Sequence, residues 1–206
     1  LTVGVPFLIG AVTLMVQART SSPREMTPPS SLLAALEQSA SRIAVGGDSA
    51  GGNLATVVAL LARDKGAPRL CFQLLVYPAT DQRMEFPSIE RNDEGYLLTK
   101  QAMHYFRSQY LPRREDWNDW RASPLLAQSL AGLPPALVIT AGFDPLVDEG
   151  KAYAERLARE GVRVAQLEYP DMVHGFLLMG GVLDTANAAV GECCGALRAA
   201  FDGAKR

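Results

Sequence analysis

From residue 42 onward, short apolar runs alternate with longer stretches of helical spacing. Residues 42–45 (RIAV) form a first strand-like run, and residues 70–77 (LCFQLLVY) a second, stopped by Pro78. Residues 136–140 (ALVIT) make a third, and residues 162–169 (VRVAQLEY) alternate like a strand nearer a sheet edge. Between them, residues 50–65 (AGGNLATVVALLARDK) carry helical apolar spacing, with Gly66 placed as a C-cap. Thr99 caps a helix running to about Tyr110. Residues 148–160 (DEGKAYAERLARE) are amphipathic and close on Gly161, and residues 185–201 form the last helix. Residues 79–98 and 113–129 read as irregular. Near-continuous apolar strands alternating with helices predict an α/β protein: a mostly parallel sheet flanked by helices on both faces. Ligands on such sheets bind beyond the carboxyl ends of the strands.

The first 41 residues follow another pattern. Residues 3–16 (VGVPFLIGAVTLMV) are almost wholly apolar yet too short for an ordinary membrane span. Val16-Gln17-Ala18 has the form of a signal cleavage site, but no basic region precedes the run, which favours a buried strand or helix. Residues 21–31 (SSPREMTPPSS) read as a linker, and residues 32–38 (LLAALEQ) as a short helix capped by Ser30 or Ser31. The expected organisation is an atypical segment over 1–41 and a catalytic core over 42–206. The chain opens on Leu rather than Met, as a fragment would.

Composition narrows the classes. The 206 residues suffice for one domain with a real core. Twenty Lys and Arg against twenty-two Asp and Glu give a net charge of -2, and the one basic pair, Arg113-Arg114, is followed at once by Glu115-Asp116. Nucleic acid is therefore not an expected partner. Three cysteines make no disulfide framework, which favours a cytoplasmic home, and two histidines give no metal-site spacing.

The chemistry gathers where strands end. Four glycines, Gly46, Gly47, Gly51 and Gly52, surround Ser49 at the first strand-to-helix junction, and Gly47 to Gly51 read G-x-S-x-G. Small residues let the backbone bend sharply there, expose a serine Oγ, and aim the Ala50 N–H toward an oxyanion. A phosphate cradle would need a following Lys-Ser or Lys-Thr, or G-x-G-x-x-G spacing, and neither is present. A serine hydroxyl needs a base, and that base needs a carboxylate. Asp144 follows the third strand and His174 follows the fourth. The order Ser, Asp, His is that of the hydrolase scaffold. Asp148, four residues later, suits a helix first turn instead. Asp48 suits support of the turn, Asp171 ranks third as the acid, and His104 suits a structural role mid-helix. The aromatics Phe86, Tyr96, Phe106, Trp117 and Trp120 fit core packing better than a pocket lining.

GDSAGGNLA, DPLVDEG, HGF and the Tyr77-Pro78 strand end resemble the motifs of hormone-sensitive-lipase-like (family IV) esterases. The resemblance, which runs from Arg42 to about Phe201, implies the C-terminal part of an α/β-hydrolase fold without its N-terminal part. It implies Ser49 as nucleophile, Asp144 as acid, His174 as base and Ala50 in the oxyanion hole, acting on short-chain acyl esters through an acyl-enzyme, with no cofactor. Amide hydrolysis by the same residues stays open. The family's HGGG-type oxyanion loop has no counterpart before Ser49. A non-catalytic or inactive relative is therefore the alternative. The remaining strands would be the last four of the sheet, leaving the first with a bare edge. Residues 3–16 are expected to cover that edge; failing that, the chain forms a homodimer or aggregates.

Overall fold

The computed structural model describes residues 13–16 and 42–203. Residues 21–31, the helix expected over 32–38, and the beginning of the apolar run lie outside the described residues. Five strands form one sheet in the order β1-β2-β3-β4-β5: β1 Thr13–Val16, β2 Ile43–Asp48, β3 Leu70–Val76, β4 Ala136–Phe143 and β5 Val164–Val173. β2 to β5 run parallel, while β1 pairs antiparallel with β2, Thr13 opposite Gly46 and Val16 opposite Ile43. The outer edge of β2 is thus occupied by a stretch of the apolar N-terminal run.

Consecutive core residues point to opposite faces, as the pleat requires. Val45, Leu75 and Val138 pack under α1 (Ala50–Lys65) and the helix Val147–Arg159. Ala44, Leu74 and Leu137 pack on the other face, under the C-terminal helix Asp184–Gly203. Between β3 and β4 the chain makes a single turn of helix, α2 (Ser88–Arg91), and then α3 (Lys100–Tyr110). Counting onward, Val147–Arg159 is α4 and Asp184–Gly203 is α5.

Caps fall where the sequence puts them. The Thr99 side chain accepts the Ala102 N–H at 3.1 Å, and Gly66 closes α1 in the left-handed conformation at φ 72. Strand ends differ from expectation. β2 runs on to Asp48 rather than stopping at Val45, because Gly46 and Gly47 continue the parallel ladder against Leu74 and Leu75. β4 reaches Phe143 instead of Thr140, and β5 reaches Val173 instead of Tyr169, through a register shift between Ala141 and Phe143. β5 also begins two residues later than expected, at Val164. At that irregularity the two strands come very close: a Cβ on Gly142 would lie 2.1 Å from the Pro170 carbonyl oxygen. Only glycine fits there. These extensions carry the β4 and β5 chains to the doorstep of Asp144 and His174.

Candidate active site

Ser49 sits between β2 and α1 with φ 55 and ψ -119, a conformation an L-residue adopts only under constraint. Three backbone hydrogen bonds supply the constraint. The Ser49 N–H donates to Val76 O at 2.9 Å, and its carbonyl accepts Asn53 N–H at 3.1 Å and Ala79 N–H at 3.3 Å. The turn is tight enough that a Cβ on Gly47 would lie 2.4 Å from the Gly51 carbonyl carbon. Ala50 is the first residue of α1, so its N–H has no acceptor within the helix and stands at the positive end of the dipole.

His174 follows β5, and its Nε2 lies 2.9 Å from Ser49 Oγ. Its Nδ1 lies 2.7 Å from Asp144 Oδ2. Asp144 is completely buried, and its second oxygen accepts the Leu146 N–H at 2.8 Å. An ionised carboxylate only accepts, so Nδ1 carries the proton in this pair. In the neutral imidazole Nε2 is then the acceptor, facing the serine hydroxyl. Three residues expected at three strand ends therefore stand in one hydrogen-bonded line, serine to imidazole to carboxylate.

The other candidate carboxylates do not join this line. Asp148 lies in the first turn of α4, where it accepts Ser88 N–H at 2.9 Å and an Arg91 N–H at 3.0 Å, so it pins α2 rather than the imidazole. Asp171 is exposed on β5, and Asp48 ends β2. His104 belongs to a separate cluster: its Nδ1 lies 2.8 Å from the Arg107 guanidinium, which stacks 3.6 Å over Trp117. Burial, then the charges of Arg107 and Lys100, hold the His104 pKa below its ordinary value.

Several side chains to which the sequence alone assigns no supporting role surround this line, two of them, Tyr77 and Asn53, within the family-like motifs. The Tyr77 ring is buried and packs against the His174 imidazole, centroids 4.7 Å apart, with Phe176 behind it. Burial, then the Asp48 and Asp144 carboxylates, push the Tyr77 phenol far above its ordinary pKa, so it stays uncharged beside the imidazole. Asn92 donates to the Asp144 and Gly142 carbonyls at 2.9 and 3.1 Å and so holds the loop bearing the acid. Asn53 donates to the Ala79 and Ala122 carbonyls at 2.6 and 2.7 Å. Nothing local marks Asn92, which lies in irregular chain. Asn53 is betrayed only by being polar inside GGNLA. The aromatics expected in the core are not buried there: Trp120 packs half-buried against it, Tyr96 stacks on Phe143, Trp117 carries the Arg107 guanidinium on its face, and Phe106 is exposed. Among the described residues no cluster of His, Cys, Asp and Glu is able to hold a metal ion, and no helix is long and apolar enough to cross a membrane.

A serine on a strained strand-to-helix turn, met by acid and imidazole from later strands of the same sheet, is the architecture of the α/β hydrolases. The family described as alpha/beta hydrolase fold matches residues 12–178. This chain belongs to that family, in its hormone-sensitive-lipase-like esterase branch. It is 47% identical over 163 residues to the carboxylic ester hydrolase LipN of Mycobacterium tuberculosis, covering 77% of this chain and 43% of that protein. It is 42% identical over 156 residues to an ethyl acetate hydrolase of Pseudomonas putida, covering 74% and 48%. Among solved structures, the thermostable carboxylesterase EstE1 from a metagenomic library superposes with a TM-score of 0.77 at 40% identity, covering 79% of this chain and 56% of that one. The chain spans about half the length of the curated relatives it matches.

Proposed function

We propose that this chain hydrolyses carboxylic esters with short acyl groups through an acyl-enzyme on Ser49. The observation that carries the reading is the line Ser49 Oγ, His174 Nε2, His174 Nδ1, Asp144 Oδ2, with spacings of 2.9 and 2.7 Å at its two hydrogen bonds. Ser49 Oγ attacks the ester carbonyl carbon while its proton passes to His174 Nε2. Asp144 stabilises the imidazolium and fixes its tautomer. The tetrahedral oxyanion receives the Ala50 N–H. His174 then returns the proton to the departing alcohol oxygen as the C–O bond breaks. A water molecule, deprotonated by the same nitrogen, releases the acid and restores Ser49. The esterase names of the relatives support this substrate class. Every step is acid–base or acyl transfer within these residues, so the reading calls for no cofactor.

The second reading is a folded relative without turnover. It is favoured by one feature: residues 1–48 contain no HGGG-type motif. Loss of a single oxyanion donor costs about a hundred- to a thousandfold in rate. Hydrolysis of p-nitrophenyl butyrate by the purified chain, beside Ser49→Ala with circular dichroism of both, separates the two. Release of nitrophenol that the substitution abolishes is the expected result. Equal background rates from two folded proteins would establish the second reading.

A further inference from the structure

Glu149 is completely buried in the first turn of α4, yet it takes no part in the line of residues above. Its Oε1 accepts the Thr80 N–H at 2.6 Å and the Asp81 N–H at 3.1 Å, and its main-chain carbonyl accepts the Thr80 hydroxyl at 3.1 Å. Its Oε2 is buried without a partner. The charges that act on it are carboxylates, Asp81 after β3 and Asp144 after β4, the former paired with Arg83 at 2.6 Å. Among the described residues Glu149 forms no ion pair. Burial above all, partly offset by the two backbone donors and reinforced by Asp81 and Asp144, holds its carboxyl well above the ordinary range. A buried carboxyl with one idle oxygen is a costly way to fill space, since an apolar side chain of the same volume would avoid that penalty.

The cost is explained by where the accepted N–H groups lead. Thr80 and Asp81 follow Ala79, whose N–H donates to the Ser49 carbonyl at 3.3 Å and whose carbonyl accepts Asn53. The Thr80 carbonyl in turn accepts the Leu125 N–H at 3.0 Å. This short segment is the backing of the Ser49 turn, and Glu149 reaches it from the helix that follows Asp144. One side chain thus joins the element after the acid to the element behind the nucleophile. We infer that Glu149 is a positioning residue: its carboxyl oxygen holds the Thr80–Asp81 segment against the strained Ser49 turn and so keeps Oγ aimed at His174 Nε2. The inference rests on Ser49 being the nucleophile.

The test is the rate at which a fluorophosphonate labels Ser49, resolved into probe affinity (KI) and the rate of the bound step (kinact), in the full chain. Glu149→Met keeps the volume and removes the acceptor. It is expected to lower kinact about ten- to a hundredfold with KI and the circular dichroism spectrum retained, as for a nucleophile displaced by a fraction of an ångström. Glu149→Gln restores an oxygen at Oε1 and is expected to recover most of the rate. Should the Met variant not fold, Glu149→Asp, which withdraws the acceptor by one methylene, carries the same expectation. Wild-type kinact in Glu149→Met, or in Glu149→Asp where the Met variant does not fold, or a Gln variant as slow as either, overturns the inference while labelling of the wild type stands. A wild-type chain that the probe does not label at Ser49 overturns the esterase reading, and this inference with it.

Discussion

At the scale of single residues, the site depends on atoms that are missing as much as on those present. Gly47 is the sharpest case, because a Cβ there meets the Gly51 main chain at 2.4 Å, and neither partner is a side chain that can swing away. Gly47→Ala must therefore open the turn that presents Ser49. We expect it to destabilise the fold by about 1–3 kcal/mol, as overpacking does. Esterase activity should fall further than that stability loss alone would explain. Thermal melts run beside p-nitrophenyl butyrate hydrolysis measure both, and a variant with wild-type activity would mean the turn is not tight. Much of this was legible from GDSAGG alone, since glycines crowding one serine have few other purposes. The value of Asp144 over Asp148 rested on distance from the strand end, and the structure shows what Asp148 does instead, anchoring Ser88 and Arg91. Glu149 was not legible. Beside Asp148 in the first turn of an amphipathic helix, a glutamate reads as one more solvated charge, and only the folded chain shows it enclosed.

At the scale of elements, α4 is fastened at both ends. Its first turn holds Glu149 under the Thr80 segment, and just past its last turn Glu160 holds the loop before β4. The Glu160 carboxylate accepts Ser129 Oγ at 2.7 Å and Ala131 N–H at 3.1 Å and pairs with Arg156 at 2.8 Å. Burial tends to raise its pKa, but the hydrogen bonds from Ser129 and Leu130 and the Arg156 guanidinium outweigh this and bring it from 4.5 down to about 2. A depressed folded-state pKa stabilises the protein above the unfolded value and withdraws that support as pH falls toward the folded one. Tm should accordingly decline as pH drops from 4.5 toward about 2. In Glu160→Gln, Tm should be lower at neutral pH and flatter across that acid range; parallel wild-type and variant curves would show the clamp to be without weight. Helix limits were legible in the sequence because caps are local: Thr99 and Gly66 act on backbone a few residues away. Strand limits were not. Where β2, β4 and β5 end is decided by a neighbouring strand that lies far off in the chain, as the Gly142–Pro170 approach shows.

At the scale of the molecule, the sheet has two edges of different character. β5 forms one, with many of its residues exposed. On the other, among the described residues, β1 pairs antiparallel with β2 and caps the parallel part of the sheet. An uncovered β2 would offer an unpaired ladder to any similar edge. Removing residues 1–16 should accordingly drive concentration-dependent association, read by light scattering after size-exclusion chromatography against the full chain. A truncated chain with unchanged mass would show that β1 protects nothing. The alternation of strands and helices, and hence the parallel sheet, was plain in the hydrophobic pattern. That part of the apolar N-terminal run covers the edge of β2 was also expected, from the bare edge left there; the antiparallel sense and the register, Thr13 opposite Gly46, were not, because an apolar run without polar alternation carries neither.

The distribution of the site along the chain has one more consequence. His174 meets a serine 125 residues away and an acid 30 residues away. The chain between β3 and β4 passes through a solvent-exposed run at residues 112–115. A break in that run leaves the serine on one fragment and the acid and imidazole on the other. Neither fragment carries half an activity. On the proposed reading, ester hydrolysis would behave as a logical AND, switched on only when the two pieces find each other and close the same sheet.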